Sequence, residues 1–154
     1  MANIDYPVGL PKPARSVYWF QHVSPFARTE MATGRARQRR TFQSVPSLTE
    51  LQFTMTQSEA QLFEAWFAYD INDGADWFNI DLTTPLDRLA SYECRFTEMY
   101  SGPVLFGLNQ WQFTAQVELR ERAIFDESWY LDNGKYIQDS SIIDVAINQL
   151  WPES

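Results

Sequence analysis

Between Ser47 and Phe96 the spacing of apolar residues changes twice, and that change restricts the fold more than any other feature of the chain. In Leu51-Gln-Phe-Thr-Met55 the apolar residues fall on every second position, the pattern of a strand with one greasy and one wet face. Thr56 to Gln61 then offers two overlapping capping boxes, Thr56 with Glu59 and Ser58 with Gln61, each able to satisfy orphan amides at a helix start. Leu62, Phe63, Trp66, Phe67 and Ile71 follow at helical spacing. They predict a helix over 58–72 that packs through Leu62, Phe63, Trp66 and Phe67. Asn72-Asp73-Gly74 stops it, with a left-handed residue that glycine adopts without strain. Alternating strands Trp77–Leu82 and Tyr92–Phe96 come next. One helix laid across a sheet, with no catalytic punctuation, is the pattern of a structural or assembly module.

Gln110–Arg122 is the cleanest strand. Trp111, Phe113, Ala115, Val117 and Leu119 face one way, and Gln112, Thr114, Gln116, Glu118 and Arg120 the other. Such alternation belongs to an antiparallel sheet with one packed face and one face wet or docked.

The rest of the chain is less regular. Pro7, Pro11 and Pro13 make residues 1–27 an extended, proline-containing arm. Within it, Ser16–Val23 reads as a strand buried on both faces, Val17 and Trp19 on one, Tyr18 and Phe20 on the other. Met31–Gly34 reads as a turn, and Arg35–Val45 as a polar strand anchored by Phe42. Residues 28–124 form the core. Tyr100-Ser-Gly-Pro103 and Phe106-Gly107 mark a long connection inside it. Residues 125–154 are an appendage: a hairpin around Asn133-Gly134, then a helix over 139–151 started by Ser141 and Asp144, with Ile143, Ile147, Leu150 and Trp151 at helical spacing.

At 154 residues the chain holds one domain plus appendages. Aromatics reach 16% and charged residues only 21%, a balance suited to a surface partly covered by a partner. No apolar run approaches the ~20 residues of a membrane-spanning helix, and the N-terminus lacks the pattern of a signal peptide. Cys94 is the sole cysteine, which rules out an internal disulfide and a cysteine-based zinc site. Synthesis and folding in a cytoplasm fit all three observations.

The net charge of −8 conceals an asymmetry. Met1–Val45 carries +5, and the remainder carries −13. A basic arm on an acidic body folds back on itself or reaches a neighbouring copy, and in a ring the second arrangement repeats. Nucleic-acid binding by the arm ranks lower, because the body repels the same phosphates.

Candidate chemistry is sparse. Asp70-Ile-Asn-Asp-Gly74-Ala-Asp76 superficially resembles a calcium loop, but its glycine falls fifth rather than sixth, and a helix stop accounts for the same residues. His22 is the only histidine and is placed at a strand end, so no second imidazole is present for a metal site, and its neighbours offer no partner for a serine–histidine–aspartate set. Cys94 falls on a packed strand face. No phosphate loop or dinucleotide fingerprint occurs, and no spacing singles out a carboxylate pair. The expectation is a non-enzyme with no cofactor and no metal. On a strand, Arg35, Arg37 and Arg39 line one face and Arg40 the other. They either form a solvated edge that discourages stray pairing or contact carboxylates of another subunit; nucleic acid is third.

Arg28-Thr-Glu-Met-Ala-Thr-Gly34, Arg37-Gln-Arg-Arg40, Leu51–Met55, Gln61-Leu-Phe63-Glu-Ala-Trp66-Phe67, Gly74-Ala-Asp-Trp77-Phe78, Cys94-Arg95-Phe96 and Trp111–Leu119 form one ordered string. It resembles small tail proteins of tailed bacteriophages: the lambda-type minor tail-tip proteins and the tube-like domain of distal tail proteins. The likeness covers residues 28–122. It implies a mainly β, α+β fold, an antiparallel β-sandwich or split barrel with one flanking α-helix, tail-tube-like. It also implies a homo-oligomeric ring, a hexamer in the first instance, in contact with other tail or neck proteins. Its location is the virion tail, assembled in the host cytoplasm, away from membranes. An acidic lumen lets DNA pass without specific binding. A head–tail connector or short-tail nozzle is the neighbouring alternative. A carbohydrate-binding β-sandwich with two or three coplanar exposed aromatics is the alternative of another class, and a small carboxylate hydrolase is a minor third. In the assembly reading, deleting residues 1–27 leaves a folded subunit that no longer makes rings.

Overall fold

The computed structural model describes residues 2–14, 19–32, 34–42, 45–86 and 89–136. The chain divides into two compact units, Met1–Arg122 and Ala123–Ser154. The helix expected over 139–151 lies outside the described residues.

The first unit is mainly β and of the α+β class. Its strands are β1 (Phe20–His22), β2 (Phe26–Thr29), β3 (Arg37–Arg40), β4 (Ser47–Met55), β5 (Phe78–Leu82), β6 (Ala90–Phe96), β7 (Ser101–Phe106) and β8 (Gln110–Leu119). Six of them form one antiparallel sheet in the order β1-β4-β8-β6-β5, with β7 also on β8. β2 and β3 pair only with each other. β8 is the organising strand. It pairs with the whole of β4, from Ser47 opposite Leu119 to Met55 opposite Trp111. Its other edge is shared by β6 at Val117–Leu119 and β7 at Gln110–Thr114. Opposed residues share a face, so this register gathers Leu51, Phe53, Phe113, Ala115 and Val117 on one side. All are buried.

That face is covered by α1 (Gln57–Ala65), which continues as a π-helical turn over Trp66–Asp70. The sequence offered two starts, and Thr56 with Glu59 is the one adopted: the Thr56 amide donates to Glu59 Oε2 at 2.7 Å. This bond holds the Glu59 carboxyl below its usual range. Phe63, Trp66, Phe67 and Ile71 are buried as expected. The Phe63 ring lies 5.6 Å from Phe53 and 5.0 Å from Phe113, and Trp66 meets Phe78 edge-on at 5.1 Å. After the helix, Asn72, Asp73 and Gly74 all take positive φ. A Cβ on Gly74 would stand 2.9 Å from Phe67 Cζ, so close packing and backbone both require glycine there.

Leu62 does not pack: it is 45% exposed. It lies one residue before Phe63, about 100° round the helix, and so falls outside the stripe. Leu62→Gln is therefore expected to shift the urea midpoint by no more than the ~0.5 kcal/mol of an ordinary surface change.

Five further expectations need correction. The arm is not free: Ile4, Tyr6 and Leu10 pack on the core. The Tyr6 amide donates to the Asn79 carbonyl at 2.8 Å, and the Asn79 amide to Ile4 at 2.8 Å, covering the edge of β5. Of the strand expected at 16–23, residues 16–18 lie outside the described residues and Phe20–His22 form β1; Trp19 is 38% exposed, because β1 is an edge strand that meets only Thr49–Ser47 of β4. Of the strand expected at 35–45, residues 43–44 lie outside the described residues and Arg37–Arg40 form β3; Phe42 is 58% exposed, since a two-stranded hairpin offers no sheet face to anchor on. The connection at 100–107 contains β7; a register shift between Ser101 and Val104 absorbs Gly102 and Pro103, which an edge strand tolerates. In the second unit, Trp129–Tyr136 is not a hairpin. α2 (Glu127–Asn133) starts where the Asp126 carboxylate accepts from the Ser128 amide at 3.1 Å. Gly134 sits at φ −54°, so Asn133-Gly134 makes no hairpin turn.

Candidate assembly surfaces

The arginine run sits on the β2–β3 hairpin, closed by a turn in which the Gly34 amide donates to the Met31 carbonyl at 3.3 Å. Pairing of Thr29 with Arg37 and Ala27 with Arg39 puts these two arginines on one face, while Phe26, Arg28, Gln38 and Arg40 share the other. Every residue of both strands is exposed. Arg35, just before β3, is exposed too. Residues 26–42 carry five arginines against Glu30, a net +4. Among the described residues, Arg28, Arg35, Arg37 and Arg39 have no carboxylate at ion-pair distance. Arg40 donates through Nε to the Phe42 carbonyl at 3.0 Å.

The helix and the stop that follows it are the electrostatic opposite. Residues 57–76 contain Glu59, Glu64, Asp70, Asp73 and Asp76 and no lysine or arginine, a net −5. Glu64, Asp70, Asp73 and Asp76 are exposed. None of the four has an ion-pair partner among the described residues. Two exposed apolar side chains belong to the same stretch, Leu62 and Tyr69, the latter 82% exposed.

Four charges elsewhere are matched in two pairs. On the sheet's polar face the Arg95 Nε donates to Glu118 at 2.9 Å and Arg120 to Glu93 at 3.0 Å. Both guanidiniums lie over the Trp77 ring, at 4.8 and 5.8 Å. Sequence alone held no signal for this cluster, whose pairs are far apart along the chain. A third surface, also missed, is the β7–β8 turn, where Val104, Leu105, Phe106 and Leu108 are exposed. The unalternating run Val104-Leu105-Phe106 before Gly107 was its only trace.

His22 ends β1 with Nδ1 2.7 Å from Ser47 Oγ. Cys94 is fully buried, and burial pushes its thiol pKa up, away from the reactive thiolate. Asp70–Asp76 forms the helix stop. A hollow of about 310 Å³ beside Tyr6 and Leu10 is crossed by the Lys12–Asp81 ion pair at 3.0 Å. Among the described residues no three His, Cys, Asp or Glu side chains converge as a metal site, and no helix is long and apolar enough to cross a membrane.

No family model, curated protein or solved structure matches the chain. Two of its surfaces carry opposite, locally unbalanced charge, and each mixes that charge with exposed apolar side chains.

Proposed function

We propose that this chain is a structural, non-enzymatic subunit of a bacteriophage tail, in its tube, tip or distal part, and that it closes into a homo-oligomeric ring around a DNA channel. The ordered string over residues 28–122 supplies the kinship. The observation that carries the assembly part is the β2–β3 hairpin: a +4 element, exposed on both faces, on a chain of net −8. A monomer gains little from holding unmatched cations out on two strands; a subunit gains a contact with the next copy. The carbohydrate-binding alternative needs an aromatic platform. In the first unit the exposed Phe26 and Phe42 belong to the hairpin, Tyr69 to the helix and Phe106 to β7; in the second, the exposed Phe125 and Trp129 rings stack on each other at 4.1 Å and so cover each other's faces rather than lie side by side as a platform.

The acidic remainder suits a conduit. Phosphates are held by several lysine or arginine contacts, and a surface of like charge lets DNA slide. Negative-stain images of the purified chain should show rings with a central hole. In a gel-shift titration at ~150 mM salt, the assembled protein should not retain double-stranded DNA. Tight binding that survives added salt would move the chain to the nucleic-acid-binding class.

A further inference from the structure

We propose that the hairpin and the acidic stretch over 64–76 are the two halves of one contact, in which the β2–β3 hairpin of one copy docks on the exposed carboxylates of α1, its π-helical extension and the stop that follows it in the next copy. The inference rests on the self-assembly reading above and names the partner surface within it.

Charge is the first argument. The hairpin holds four arginines without an ion-pair partner among the described residues, and the helix side holds four exposed carboxylates in the same condition. No lysine or arginine occurs between Arg40 and Arg88, so the helix has no local cation to satisfy it. The second argument is access. Arg37 and Arg39 share one hairpin face with Ala27 and Thr29, all exposed, so no large side chain of that face stands between the two guanidiniums and a partner's carboxylates. The third is geometry. Two different surfaces of one chain meeting each other give a head-to-tail contact, which closes as a ring when the rotation permits. Arginine, with its planar fork, is the cation suited to such carboxylate contacts.

A charge exchange on the full chain tests this. Arg37→Glu with Arg39→Glu, and separately Asp70→Lys with Asp76→Lys, change only exposed side chains. Each pair should weaken self-association on the order of 100-fold, read by light scattering across a dilution series. Far-UV circular dichroism of each variant should match the parent. Mixing the two variants, or combining all four changes in one chain, should restore association. Rings that form unchanged from either pair, or a full loss that neither combination restores, would overturn the hairpin-to-helix pairing while leaving ring formation itself standing. A parent chain that stays monomeric would overturn both.

Discussion

A chain lacking residues 1–14 is expected to lose its cooperative fold rather than only its capacity to assemble. The lead looks dispensable in the sequence, where prolines break every pattern. In the structure its side chains finish the core. Leu10 is buried, and the Tyr6 ring stacks on Phe53 at 5.7 Å and meets Trp66 at 5.5 Å. Burying two such side chains contributes roughly 3–6 kcal/mol, comparable with the ~5–15 kcal/mol total stability of a domain. Polar groups would suffer as well. Asn79 Nδ2 donates to the Ala2 carbonyl and to Asp5 Oδ1, both at 2.8 Å, and truncation would remove these bonds and open the β5 edge to water. Urea unfolding of the truncated chain should show a midpoint far below the parent or no transition. A truncated chain with the parent's midpoint would mean that the lead contributes no stability.

Trp66→Ala should cost ~3–5 kcal/mol, the range for emptying a large aromatic site in a core. The indole is buried where α1 passes into the π-helical turn, and Phe63, Phe78, Phe96 and Tyr6 all border it. One detail separates packing from polarity. The indole Nε1 is buried without a hydrogen bond among the described residues, so it adds desolvation cost and no compensating bond. Trp66→Phe should therefore stay within about 1.5 kcal/mol of the parent. Equal losses in the two variants would contradict an account in which packing alone makes this residue important.

Where one face of an element is buried, the sequence is readable, because burial imposes a period. β4 and β8 alternate without a break, and the helix is marked by its Thr56–Glu59 cap and its stripe at Phe63, Trp66, Phe67 and Ile71. Period does not say which strand pairs with which. β3 looked like part of the core because Phe42 follows its arginines, yet it pairs only with β2 and stands clear of the sheet. Long-range backbone bonds leave even less trace: nothing around Ile4 or Tyr6 announces a partner at Asn79. Turn dipeptides misled in both directions. Gly102-Pro103 sits inside β7, and Asn133-Gly134 ends a helix because Asp126 had already started one. Of the proposed interface, the basic half was legible as a run of arginines. The acidic half was legible only as a stretch without cations, and the exposure of Leu62 was hidden by its place next to the stripe.

Native mass spectrometry of the full-length chain across a dilution series tests the central claim most directly. The account predicts one dominant closed oligomer, its mass a fixed multiple of the chain's, persisting as the protein is diluted and giving way to monomer when Arg37 and Arg39 are reversed. A chain that is monomeric at every concentration, or that grows into a ladder of open oligomers without a preferred size, would contradict it.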